Sequence, residues 1–168
     1  TPVNDGHFGV VVVHSGVAES LTSTDYNCRV EECQRAAQSL LELAGEPIRG
    51  KPKLRMVSED VYETYVGRLP EPLNRRARHF FTENRRVRSG VDAWATGDLV
   101  KFGSLINASG ASSVQDYESG CPELITLYEI LRDCPGVYGA RFSGGGFRGS
   151  CIGLVDPAYR DRILDTVR

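Results

Sequence analysis

Ser143 to Gly149 reads SGGGFRG, and Gly144, Gly146 and Gly149 satisfy the dinucleotide-binding pattern G-x-G-x-x-G. Asp165 lies near the offset expected of a ribose-binding acid. That chemistry requires the glycines to open a helix, so that a pyrophosphate meets the helix N-terminus. Here SCIGLVD follows, a β-branched and apolar strand pattern. The dinucleotide reading therefore fails on context. What remains is a β-hairpin link needing positive φ. Three consecutive glycines exceed what a hairpin needs, and they would let backbone amides approach an anion or a second loop. The residues alone weigh these two readings about equally.

Asn74 to Gly90 carries six arginines, at 75, 76, 78, 85, 86 and 88. Such a stripe could meet nucleic-acid phosphates. Glu83 and the interleaved apolar residues favour a solvated helix face with some interdomain pairing. Tyr26, beside Asp25, Asn27 and Arg29, could hydrogen-bond a sugar hydroxyl or cap a surface. His14 and His79 read as structural, because neither has a Ser, Cys or Asp partner at a meaningful spacing. Cys28 and Cys33 lack zinc-knuckle spacing and join no histidine cluster, so no metal site is expected. Neither a Walker-type G-x-x-x-x-G-K-[ST] nor an H-E-x-x-H occurs. No catalytic residue is assigned.

The elements that must position these residues follow from a 168-residue chain, enough for one domain with one core. A net charge of −2 gives no global attraction to nucleic acid or to an anionic membrane. Its longest unbroken apolar stretch, Val10 to Val13, is far too short to span a bilayer. Five irregularly spaced cysteines read as reduced thiols in a cytoplasmic protein.

Gly9 to Ser15 is a buried strand pattern. Thr22 and Asp25 have capping-box spacing. The helix behind them places Val30, Cys33, Ala37, Leu40, Leu41 and Ala44 on one face, and Gly45 ends it. Residues 46 to 57 read as a loop and Ser58 to Val66 as a short helix. A long helix runs from Asn74 to about Trp94, with Ala77, Phe80, Phe81, Val87, Val91 and Trp94 on its buried side. Another runs from Leu99 to about Ser109-Gly110, and Pro122 opens a third. Val137 to Phe142 and Ser150 to Val155 are strands, and Pro157 opens a last helix. This order fits an α+β fold, an antiparallel sheet with helices packed on one face. A split-βαβ plait would want one more strand after the last helix, so the chain is expected to be cut there.

Several blocks now combine. VVVHSGVAESLTSTDYNCRVEECQRAA resembles the segment that opens the C-terminal half of galactokinases, with its SxxYNxRxxEC pattern. RARHFFTENRRV resembles their RARHVxxENxRV helix, and Gly97 to Asp116 their GDLxxFGxLMxxSHxSLxxDY block. CPELITL and GVYGARFSGGGFRGSCIGLVD resemble CPELDxL and the third motif of the GHMP kinases, GxxGxRxTGGGFGG. The blocks keep the family's order across most of Gly9 to Asp156.

The resemblance implies a ferredoxin-like plait with a helical insertion, spanning residues 1–168 as a GHMP kinase C-terminal domain. It implies a whole enzyme that moves the ATP γ-phosphoryl group to the anomeric hydroxyl of galactose or galacturonic acid, with Mg²⁺ neutralising charge. In that family the ATP loop and catalytic aspartate lie in an N-terminal domain, so this chain is expected to be inactive alone. Tyr26 would contact the sugar. Ser143, Gly144, Gly145, Gly146 and Arg148 would support the phosphate-binding loop. The implied partners are the monosaccharide and the protein's own N-terminal domain, with no nucleic acid and no membrane. An exposed sheet edge would be open to self-association.

Two departures stand out. Ser109-Gly110 replaces the family's Ser-His, and Gly146-Phe147-Arg148-Gly149 replaces Gly-Phe-Gly-Gly. INASGASSVQDYESGC with RFSGGGFRG is more similar to plant-type galacturonokinases, and Arg148 would suit an acidic sugar or a bound phosphate. The rival readings are a stand-alone α+β ligand-binding or regulatory module without chemistry, and a basic-helix nucleic-acid binder.

Overall fold

A computed structural model describes residues 8–17 and 25–167. Strand β1 (Gly9–His14) alternates, with Val11 turned into the core and Val10 and Val12 left 63% and 64% exposed. It pairs antiparallel with β3 (Ser150–Val155), which pairs antiparallel with β2 (Val137–Phe142), giving the order β1-β3-β2. Helix α5 (Pro122–Asp133) starts on Pro122 and sends Leu124, Tyr128 and Leu131 against the sheet. Ile163 of α6 (Arg160–Thr166) joins the same core. The sheet is therefore antiparallel with helices packed upon it, as the sequence pattern predicts.

Helix α4 (Leu99–Gln115) lies along β2. Its Asn107 side chain accepts a hydrogen bond from the Ala140 backbone N–H at 2.9 Å and donates to the Tyr138 carbonyl at 3.5 Å. One amide thus satisfies strand-edge groups that would otherwise remain open. The approach depends on Gly103 and Gly139. A β-carbon on Gly103 would stand 2.3 Å from the Tyr138 oxygen, and one on Gly139 2.1 Å from the Gly103 oxygen. Where the sequence suggests a helix end at Ser109-Gly110, α4 continues to Gln115. Both residues are buried inside it, and a β-carbon on Gly110 would meet the Tyr128 ring at 2.6 Å. A glycine inside a helix is tolerated when packing requires its small size.

A second core stands apart from the first, correcting the expectation of one. It joins α1 (Tyr26–Ala44), α2 (Glu59–Tyr65) and α3 (Leu73–Ala95) through Ala36, Ala37, Leu40, Leu41, Tyr62, Leu73, Ala77 and Phe81. Full burial of Leu40 contributes roughly 1.5–3 kcal/mol. Gly45 ends α1 at φ 69°, and Ser58 caps α2 by accepting from the Val61 N–H. A short 3-10 turn at Leu54–Met56 interrupts the 46–57 loop. Asp25 precedes α1 without a side-chain cap bond, and Thr22 lies outside the described residues. Val30, Val87 and Val91, expected on buried faces, are 46%, 63% and 58% exposed. Helical periodicity gave their faces, but no described residue buries that part of either helix.

Candidate functional site at the glycine turn

The glycine run joins two paired strands and opens no helix. The Ser143 N–H donates to the Ser150 carbonyl at 2.8 Å, and the Ser15 N–H donates to the Gly149 carbonyl at 2.8 Å. Gly144 and Gly146 have φ of 67° and 74°, the left-handed region that glycine enters without a Cβ penalty. Gly144 and Gly145 are exposed, and nothing lies within 4 Å of a β-carbon built on Gly144. Gly146 is buried; its β-carbon would meet Phe142 at 3.0 Å and the Ser119 hydroxyl at 3.1 Å. Phe147 is only 6% exposed. The turn thus offers open backbone at its tip and is anchored by its second half.

Tyr26 is the first residue of α1, and its ring stands edge-on to Phe147 with centroids 6.0 Å apart. Phe147 meets Tyr117 at 6.4 Å, and Tyr117 stacks on His79 at 4.9 Å. Four rings from four distant segments form one row. Burial pushes the Tyr117 hydroxyl up to about 12, with further contributions from Cys33 and Tyr26. It therefore stays protonated at neutral pH.

Beside the row sits a buried ion cluster. The Arg76 side chain is 0% exposed. Its Nε donates to Glu32 at 2.6 Å, and its other nitrogens donate to Glu118 and the Asp116 carbonyl. Arg29 donates to Glu32 at 2.9 Å. Burial would raise the Glu32 carboxyl, but hydrogen bonds from Arg76 and Arg29 hold it below the usual range. Glu118 is held low first by its bond from Arg76. The cluster ties α1, through Arg29 and Glu32 in the turns that follow Tyr26, to α3 and to the segment carrying Tyr117. Arg76, fully buried, has all of its charge paired in this way, as a buried charge requires.

Each of the six α3 arginines finds an acid. Arg75 pairs with Glu71 and Glu118, Arg78 with Asp116, Arg85 with Glu59 and Glu63, Arg86 with Glu83, and Arg88 with Glu59. The stripe is a neutralised helix face. Glu83 also accepts from the Ser109 hydroxyl at 2.7 Å and faces Arg141 at 3.7 Å.

His79 does have a serine partner, hidden by a separation of 33 residues: its Nδ1 lies 2.9 Å from the Ser112 Oγ. Ser112 donates to Asp116 at 2.9 Å. The serine stands between the histidine and the acid and is 6% exposed, which is a structural linkage and not the order of a nucleophilic triad. Arg148, half-buried after Phe147, lies close enough to Glu123 to help hold that carboxyl low, after Glu123's own backbone N–H and Cys121. Sequence reasoning missed the ring row and the Arg76 cluster. The only local sign of the first was an aromatic set among glycines; the second had none.

The sequence profile described as "GHMP kinases C terminal" matches residues 91–168. Arabidopsis thaliana galacturonokinase is 49% identical over 162 residues, 96% of this chain and 38% of that protein. The chain belongs to the GHMP kinases, as a C-terminal domain. Roseiflexus galactokinase is 40% identical over 147 residues, 88% of this chain and 37% of that protein. The crystal structure of Lactococcus lactis galactokinase complexed with galactose superposes with a TM-score of 0.84 at 34% identity, over 99% of this chain and 42% of that one. The crystal structure of L. major mevalonate kinase, at 20% identity and a TM-score of 0.58, shares the fold. The GHMP kinase domain thus spans about two fifths of the length of the relatives it matches. Among its described residues there is no helix long and apolar enough to cross a membrane, and no group of three metal-ligating side chains.

Proposed function

We propose that the protein containing this domain is a cytoplasmic sugar-1-kinase acting on galacturonic acid, with galactose as the second candidate, and that residues 1–168 are its C-terminal domain. The observation that carries this reading is the contact between Tyr26 and Phe147, which joins a candidate sugar-binding ring to an open glycine tip. The greater identity to a galacturonokinase than to the galactokinases cited supports the acidic sugar.

In this reading the oxygen of the anomeric hydroxyl bonds to the γ-phosphorus of ATP as the bond to the leaving ADP breaks. Tyr26 orients the sugar by hydrogen bonding. Ser143 and the 144–146 backbone sit against the phosphate loop of the N-terminal part, and Arg148 adds positive charge beside them. The exposed Gly144–Gly145 backbone fits that supporting role. Mg²⁺, which neutralises the triphosphate when bound, would be held by the nucleotide and the remaining polypeptide. The proton acceptor also belongs to that remaining polypeptide, so this chain alone is inactive.

The test is ATP-dependent sugar 1-phosphate formation by the full-length protein on a panel of sugars. Arg148→Gly should lower the preference for galacturonate over galactose. An unchanged ratio would sink the role of Arg148. On the edge of β1 away from β3 no strand pairs among the described residues; association of this chain through that edge predicts concentration-dependent mass by light scattering.

A further inference from the structure

The loop between α1 and α2 carries Lys51, Lys53 and Arg55 on alternate residues. Pro52 and Leu54, between them, are buried, which pins the loop and turns the three cations outward. All three line a cavity of about 610 Å³, within the range of small-molecule sites. The same cavity is lined by the aromatic side chains of Phe80 and of the stacked pair His79 and Tyr117. Neither Tyr26 nor the 144–146 turn lines it.

The charge balance of this cavity is one-sided. The two other charged residues lining it are already compensated, Arg76 by Glu32 and Glu118, and Glu83 by Arg86. Lys51, Lys53 and Arg55 make no ion pair among the described residues, in contrast to every arginine of α3. Three like charges held on one short loop repel one another and focus a positive potential into the cleft. An anionic group would relieve that repulsion through charge-assisted hydrogen bonds. A flat ring would lie against the aromatic side chains.

We infer that this cavity is a second small-molecule site, taking a phosphorylated compound with a planar ring, of nucleoside monophosphate size. It is separate from the proposed sugar and phosphate cleft and does not depend on that reading. Tyr117 is shared between the cavity and the ring row ending at Tyr26. An occupant would therefore also restrain the rings behind the glycine turn.

Adenosine monophosphate is the probe, titrated calorimetrically into the protein, with inorganic phosphate in a parallel arm. The expected result is one-site binding of the nucleotide, weakened roughly tenfold or more by combined Lys51→Gln, Lys53→Gln and Arg55→Gln. All three positions are exposed, so the variant should keep its circular dichroism and melting temperature. Gly144→Ala, at the turn, should leave the affinity unchanged. Three results would overturn the inference: no binding of the nucleotide, binding lost in Gly144→Ala but retained in the triple variant, or phosphate binding as tightly as the nucleotide.

Discussion

The Tyr26 ring meets Phe147 edge-on, with planes 79° apart, although 121 positions separate them in the chain. Phe147 is nearly buried while Tyr26 is 43% exposed, so one ring is an anchor and the other is presented to solvent. Phe147→Ala should therefore destabilise the domain by about 3 kcal/mol through lost burial and a cavity. On the proposed sugar-kinase reading, the full-length protein carrying this change should also show a raised KM for sugar, because Tyr26 loses its support. Tyr26→Phe keeps the ring contact; on the same reading it should raise KM with a much smaller shift of the denaturation midpoint than Phe147→Ala. Equal stability losses in both variants would argue against this division.

Arg76 and Arg85 lie on one helix in opposite environments. Arg76 is sealed; removing it breaks its bonds to Glu32, Glu118 and the Asp116 carbonyl at once and leaves Glu32 with Arg29 alone. Arg76→Ala should cost about 3 kcal/mol. Arg85 is 43% exposed, and Arg85→Ala should cost less than about 1 kcal/mol despite its two acidic partners. Urea denaturation of the two variants side by side measures the difference.

The glycines divide in the same way. Gly139→Ala drives a methyl into the Gly103 carbonyl and should prevent α4 from seating on β2, seen as loss of the cooperative unfolding transition. Gly144→Ala meets open space and carries only the left-handed backbone cost, about 1–2 kcal/mol.

How much of this could be read from the sequence depends on how local each determinant is. The three strands, the proline-started α5 and the glycine-ended α1 are set by neighbouring residues, and they appear where the pattern predicts. The hairpin nature of the glycine run was legible because a strand, and not a helix, follows it. The extent of α4 was misread because Ser109-Gly110 looks like a stop. Its glycine instead answers to Tyr128, 18 positions away. The outward valines on α3 obey helical periodicity, which fixes a face but not what covers it. The Arg76 cluster draws on α1, α3 and the segment after α4, and no spacing rule anticipates such a meeting.

Acid should weaken the domain in two stages. Burial lowers the His79 pKa below its ordinary 6.5, even though Glu83 opposes the shift. The unfolded chain therefore binds a proton first, and stability falls as pH drops below about 6.5. Glu32, Glu83 and Glu118 are all held below their ordinary 4.5 in the folded state. Their contribution is present above that value and lost as pH falls through it. Urea midpoints should be flat from pH 8 to 7, lower at pH 5.5 and lower again below pH 4.5. In His79→Gln the first step should disappear.

The most direct measurement is ATP-dependent formation of sugar 1-phosphate, made in parallel on the full-length protein, its Tyr26→Phe variant and this chain alone, with galacturonate and galactose as substrates. The account predicts product from the full-length protein with galacturonate preferred, a raised KM in the variant, and none from the isolated chain. Product from the isolated chain, or a full-length protein that phosphorylates neither sugar, would contradict it.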